Sequence, residues 1–190
     1  MVNRTKHGLL RRLRKDLQDT LDGHKNIGGD RNVCINMLLT KKCNFQCAHC
    51  MFRSGPEQPA LYMSHQVLRD IDQFANDLQE LGFFVSYNLV GGEPSLNLPK
   101  FAEICELVNE FGKPVEMTTN GWWIEKVKNL NAFARAVFPL AISGTLDHIR
   151  VSNSVYHQPY RKERSRWTNG TPAILDEVHC WAREEGFTSE

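Results

Sequence analysis

The chain of 190 residues has no apolar run long enough to span a bilayer. Its basic start lacks an apolar core and a small-residue cleavage site, which excludes a secretory signal. No acidic residue precedes Asp16, whereas Arg4, Lys6, Arg11, Arg12, Arg14 and Lys15 all do. That opening also has the composition of an organelle transit peptide, although a reducing cytoplasm is the expected compartment. Net charge is almost absent at +1, so no global field argues for nucleic acid or an acidic partner. There is no internal repeat and no low-complexity block. No second CxxC or HxxxH pair accompanies the six cysteines, and nothing in their spacing suggests a disulfide framework. Cys34, Cys105 and Cys180 sit singly among apolar neighbours and read as buried thiols.

What is present is a rhythm of short apolar runs and amphipathic stretches. Residues 1–28 read as a basic amphipathic helix, with Leu9, Leu10, Leu13, Leu17 and Leu21 at helical spacing. Residues 29–190 form the main domain. Strands are expected over 32–40, 83–90, 114–120 and 137–143. Helices are expected over 64–82, 99–112, 122–136 and 171–187. Ser64 is a suitable N-cap, Pro99 suits a first helical turn, and Gly82 and Gly112 suit helix ends. Near-continuous apolar strands alternating with helices imply parallel βα units. The fold class is therefore α/β, with about four parallel βα units. Residues 144–170 read as a long polar loop. Its Arg161, Lys162, Arg164 and Arg166 beside Tyr156, Tyr160 and Trp167 could track a nucleic-acid backbone, against the plainer reading of a solvated loop.

Parallel units place functional loops at the carboxyl ends of their strands. Four features are expected there: the cysteine cluster after the first strand, Gly91-Gly92-Glu93-Pro94 after the second, Asn120-Gly121 after the third, and Ser143 at the end of the fourth. Cys43, Cys47 and Cys50 lie within eight residues, spaced C-x3-C-x2-C, beside Lys41 and Lys42. Structural zinc would want four closed ligands, and His49 is the nearest fourth. The favoured reading is a [4Fe–4S] cluster held by three thiolates, with one iron left open. The two glycines allow close backbone approach, and Glu93 offers a carboxylate to an ammonium group.

C-x3-C-x2-C after the first strand, with Gly91-Gly92-Glu93-Pro94 about forty residues on, resembles the radical S-adenosylmethionine (radical SAM) superfamily. The resemblance runs from about residue 30 to the C-terminus and implies a partial (β/α) barrel. It implies a [4Fe–4S] cluster on Cys43, Cys47 and Cys50, and S-adenosylmethionine (SAM) as the second cofactor. It places His49 near the adenine, Gly91, Gly92 and Glu93 near the methionine amino group, and Asn120 and Ser143 among polar SAM contacts. Arg150, then Arg161, is the candidate for the SAM carboxylate, and Asp147 and His148 for ribose or substrate. The implied reaction is reductive cleavage of SAM to a 5′-deoxyadenosyl radical that abstracts hydrogen from substrate. The implied partner is a flavodoxin-like or ferredoxin-like electron donor. Peptide modification is the preferred substrate class, because Thr118-Thr119-Asn120-Gly121 resembles peptide-modifying members. The family barrel usually has six units and only four are counted here. The open sheet edge this leaves implies one of three things: a partner chain that covers it, self-association, or a sequence that is a fragment. A non-catalytic or split Fe–S/SAM-binding subunit is the first alternative. A zinc-dependent nucleic-acid-binding module is the second.

Overall fold

The computed structural model describes residues 31–152 and residue 157. The helices expected at 1–28 and 171–187, and Arg161, lie outside the described residues. Among the described residues two compact units are distinguished: residues 31–35 with Ser64–Ser86, and Asn36–Met63 with residues 87–152.

Four strands form one sheet in sequence order: β1 (Asn32–Leu38), β2 (Phe84–Val90), β3 (Val115–Thr119) and β4 (His148–Val151). The β2–β3 and β3–β4 pairs are parallel, with Tyr87 opposite Val115 and Thr118 opposite Arg150. Parallel neighbours need crossovers, and helices α1 (His65–Glu80), α2 (Leu98–Asn109) and α3 (Val127–Ile142) occupy them. The architecture is the α/β partial barrel expected.

Strand burial alternates. Val115, Met117 and Thr119 are buried while Glu116 and Thr118 are half-buried. The less buried face carries a polar ladder instead of a second apolar layer. Asn88 Nδ2 donates to Asn36 Oδ1 at 2.9 Å, and Thr118 Oγ1 donates to Asn88 Oδ1 at 3.1 Å.

The helices start and stop where local chemistry dictates. Ser64 Oγ accepts from Val67 N at 3.3 Å, satisfying one orphan donor of α1. Gly82 takes φ +84° just after that helix. Asn97 Oδ1 accepts from Lys100 N at 3.2 Å at the start of α2, and Pro99 lies in its first turn. Helices α2 and α3 pack on each other. They bury Phe101, Ile104, Cys105 and Val108 from one, and Phe133, Ala134, Val137 and Leu140 from the other. Trp123, in the 3-10 turn Trp122–Glu125, stacks on Phe133 with centroids 3.8 Å apart.

The fourth strand corrects the sequence reading. Residues 137–143 belong to α3 and its cap, and β4 lies inside the segment expected to be a polar loop. Phe133, Ala134, Val137 and Leu140 recur at i, i+1, i+4 and i+7, one helical face. Pro139 is tolerated because it is exposed, as is Arg135, whose carbonyl it deprives of a donor and leaves to water.

Candidate cofactor site

The leg of chain after β1 is stitched on both sides by backbone hydrogen bonds. On one side Cys43 N donates to Gly55 O at 3.2 Å and Met63 N to Leu39 O at 2.7 Å. On the other, Leu39 N donates to Val90 O at 2.7 Å, Gly92 N to Thr40 O at 2.6 Å and Glu93 N to Lys42 O at 2.9 Å. The cysteine loop and the Gly-Gly-Glu turn are thus one backbone assembly. Both glycines are required by it. A Cβ at Gly91 would lie 2.7 Å from Thr40 O, and one at Gly92 would overlap the Lys42 carbonyl.

Beyond Cys43 the loop turns twice, with Cys50 N on Cys47 O at 3.0 Å and Arg53 N on Cys50 O at 3.1 Å. Phe45 is buried and anchors it. All three thiols face one cavity of ≈ 270 Å³. Its wall also includes Phe45, His49 and Ser54 from the same loop, Gly91 and Gly92 after β2, and Thr118, Thr119 and Asn120 at the end of β3. Ser152, after β4, and His157 complete the polar wall, while Met51, Phe52 and Val90 supply apolar surface. His49 meets His157 edge to face at 5.4 Å between centroids.

Several N–H groups already point at the sulfurs. Phe45 N lies 3.4 Å and Asn120 Nδ2 3.6 Å from Cys43 Sγ, and Ser54 N lies 3.4 Å from Cys50 Sγ. Burial nevertheless pushes the Cys43 thiol up to about 11. The two N–H donors pull it down, and Glu93 and Cys47 push it further up. A cationic metal centre reverses that balance, so ligation expels the proton.

Glu93 is fully buried and is not part of the cavity wall. Its Oε1 accepts from Ser95 N at 3.1 Å, Ser95 Oγ at 2.5 Å and Thr119 Oγ1 at 2.8 Å, and its Oε2 from Asn120 N at 2.6 Å. Burial raises its pKa, against the opposing pull of those hydrogen bonds. Thr119 Oγ1 in turn accepts from Gly121 N at 3.1 Å and Trp123 Nε1 at 3.2 Å. Gly121 itself takes φ +73°. The network closes the end of β3 against the Gly-Gly-Glu turn.

The cavity brings together Cys43, Cys47, Cys50, His49, Gly91, Gly92 and Asn120 of the expected set. Ser143 and Arg150 are elsewhere. Ser143 caps α3, its hydroxyl donating to Leu140 O at 3.1 Å. Arg150 is exposed on β4 and pairs with Glu116 at 2.5 Å. Asp147 accepts from Val115 N at 2.7 Å, and His148 lies opposite Glu116 in the β3–β4 register, so both lie at the amino end of the sheet. With β4 correctly placed, the residue following the fourth strand is Ser152. Ser54, Ser152 and His157 carry no sequence signal of their own.

The donor set can be tested against the cofactor it suggests. Among the described residues, no three His, Cys, Asp or Glu side chains converge on one ion-sized point. Thiols spread around one cavity suit a cluster, whose irons each take a separate thiolate, better than a single tetrahedral zinc. Ser54 lines the cavity, and its buried Oγ has no hydrogen-bond partner among the described residues, a polar group open to a ligand once the site is filled. The residues fit a [4Fe–4S] cluster.

Fold and site together define an α/β domain that holds a redox cofactor on a three-cysteine loop at the carboxyl end of its sheet. The radical SAM superfamily matches residues 37–189, and the chain belongs to it. Members of that superfamily use a [4Fe–4S] cluster and SAM. The chain is similar to the putative peptide biosynthesis protein YydG of Bacillus subtilis, 24% identical over 70% of this chain and 40% of that protein. It is similar to the mycofactocin maturase MftC of Mycobacterium ulcerans, 32% identical over 50% of this chain and 24% of that one. An S-adenosylmethionine-dependent nucleotide dehydratase of Psychrobacter lutiphocae is 25% identical over 53% of this chain and 36% of its own. The chain thus spans less than half the length of these relatives. No described helix is long and apolar enough to cross a membrane.

Proposed function

We propose that this chain carries the cofactor-binding part of a radical SAM enzyme acting on a peptide. One observation carries the reading: three thiols line the same cavity as the glycine turn and the end of β3. Cys43, Cys47 and Cys50 would hold three irons of the cluster. Gly91 and Gly92 line the same cavity, where the amino acid portion of SAM would sit. His49 and His157, in edge-to-face contact, offer aromatic surface to the adenine. When bound, the cluster and SAM supply one-electron reductive cleavage and a radical able to abstract hydrogen. The protein's part is to bind, to orient and to line the site with Phe52 and Val90 against water.

The peptide preference is supported by the name of one relative, YydG, and opposed by that of the nucleotide dehydratase. An electron donor of flavodoxin or ferredoxin type would reduce the cluster.

Anaerobic reconstitution with iron and sulfide tests the reading. About four irons and four sulfides per chain are expected, lost when the three cysteines become Ala and kept in Cys34→Ala. With SAM and a strong reductant, 5′-deoxyadenosine should form. Consumption of hydrogen from a nucleotide but not from peptides would overturn the substrate class alone. Zinc in place of iron and sulfide would overturn the cofactor.

A further inference from the structure

Asn120 occupies an unusual position in this network. Its side chain contacts one of the three cysteine sulfurs, and its backbone is held by the buried carboxylate of the Gly-Gly-Glu turn. Trp122 N–H donates to Asn120 Oδ1 at 3.0 Å. A backbone N–H can only donate, so it fixes which end of the carboxamide is oxygen. The NH2 end therefore faces the other way, toward Cys43 Sγ at 3.6 Å and Asn44 Oδ1 at 3.0 Å. The backbone N–H of the same residue is clamped by Glu93 Oε2 at 2.6 Å. Asn120 is 6% exposed and Cys43 7%, so water competes little for the contact.

We propose that Asn120 is a positioning residue for the redox centre. Its carboxamide hydrogen bond to Cys43 sulfur, held in place by Glu93, raises the reduction potential of the bound cluster. The inference rests on the cluster reading above and adds a role to it. An electron added to a thiolate-ligated cluster increases the negative charge on its sulfurs. An N–H aimed at one of them stabilises the reduced state more than the oxidised one, and hydrogen bonds to the sulfurs are among the terms that set such potentials. Glu93 acts at one remove. Its carboxylate is saturated by Ser95, Thr119 and Asn120 and lies outside the cavity wall, so its work is to lock the turn that aims Asn120.

The test is an EPR-monitored redox titration of the reconstituted protein without SAM, so that turnover plays no part. Iron and sulfide content are measured on each sample. Asn120→Ser keeps a hydroxyl able to accept from Trp122 N but cannot reach the sulfur. Asn120→Asp keeps the size and exchanges the donor for a carboxylate oxygen. The expected order of potential is wild type, then Asn120→Ser, then Asn120→Asp. The first step should make reduction about tenfold less favourable, 59 mV for a one-electron couple. Equal potentials in cluster-loaded wild type and either variant would overturn the proposal and leave the cluster reading intact. Wild-type protein that takes up no iron and sulfide would overturn both.

Discussion

Glu93 N donates to Lys42 O at 2.9 Å, and the glycine before it is packed so closely that a methyl group at Gly92 would overlap that same carbonyl. The turn after β2 and the cysteine loop after β1 are therefore a single object. A side chain at Gly92 separates them. Gly92→Ala is expected to cost about 3 kcal/mol or more, since backbone rather than a flexible side chain must move. Gly112 has φ +68° with open space around it, so Gly112→Ala meets strain without overlap. It should cost about 1–2 kcal/mol. Urea unfolding of the two variants checks the order, and equal losses would show that the backbone contact relaxes freely.

The same closeness governs Glu93. Glu93→Ala leaves two backbone N–H groups and two hydroxyls without their acceptor in a buried place. Each orphaned group costs about 1–3 kcal/mol. The variant should therefore lose several kcal/mol and reconstitute poorly. Glu93→Gln keeps one oxygen for the three donors at Oε1 but turns an NH2 toward Asn120 N. It should fold with a smaller loss. Thermal melts of the apo-proteins give the comparison, and a Glu93→Ala protein as stable as wild type would mean the carboxylate organises nothing.

Most elements were legible in the sequence because local chemistry and tertiary packing agree there. Ser64 and Gly82 bracket α1, Pro99 lies in the first turn of α2 and Gly112 follows its end, and strands β1 to β3 fall within two residues of expectation at each end. The cysteine spacing and the paired glycines were legible for a different reason: each demands a particular backbone or donor chemistry. The fourth unit was misread because Val137-Phe138-Pro139-Leu140 looks like an apolar strand broken by proline. The helical face reaching back to Phe133 is visible only once the 3-10 turn at Trp122 is known to precede it. β4 itself is four residues with no buried position. That error carried Ser143 and Arg150 into the candidate site and left Ser152 out. Ser54 and His157 were invisible, because a lone serine or histidine in a loop has no pattern to read.

Cys105 supplies a pH prediction away from the cofactor. Burial pushes its thiol up to about 12, with Glu106 and Asp147 adding to the shift, against an ordinary value of 9.0. Below pH 9 both folded and unfolded chains keep the proton. Between 9 and about 12 the unfolded chain releases it and the folded chain does not, so stability falls as pH rises. The slope approaches about 1.4 kcal/mol per pH unit. Cys105→Ala starts less stable but should lose less between pH 8 and 10, with Cys43 and the other groups common to both proteins. Parallel decline of the two would exclude the contribution. Cys34, expected from its apolar neighbours to be buried, is instead exposed on β1, so in the same samples it should alkylate at pH 8 while buried Cys105 does not.

Ser54 gives the sharpest separation between a fold and a site. Ser54 lines the cavity, and its hydroxyl is buried with no hydrogen-bond partner among the described residues. An unsatisfied buried hydroxyl is a cost to the empty protein, so Ser54→Ala should leave apo stability unchanged or raise it by about 1 kcal/mol. The backbone N–H of residue 54, which points at Cys50 sulfur, survives the substitution. If the bound cluster or SAM offers that hydroxyl a charged acceptor, its removal from the loaded protein should cost about 1.5–3 kcal/mol. The two effects have opposite sign, so they cannot both arise from packing. Melting temperatures of wild type and Ser54→Ala, each measured empty and loaded, form the cycle. A variant stabilised equally in both states would show that the hydroxyl meets no ligand.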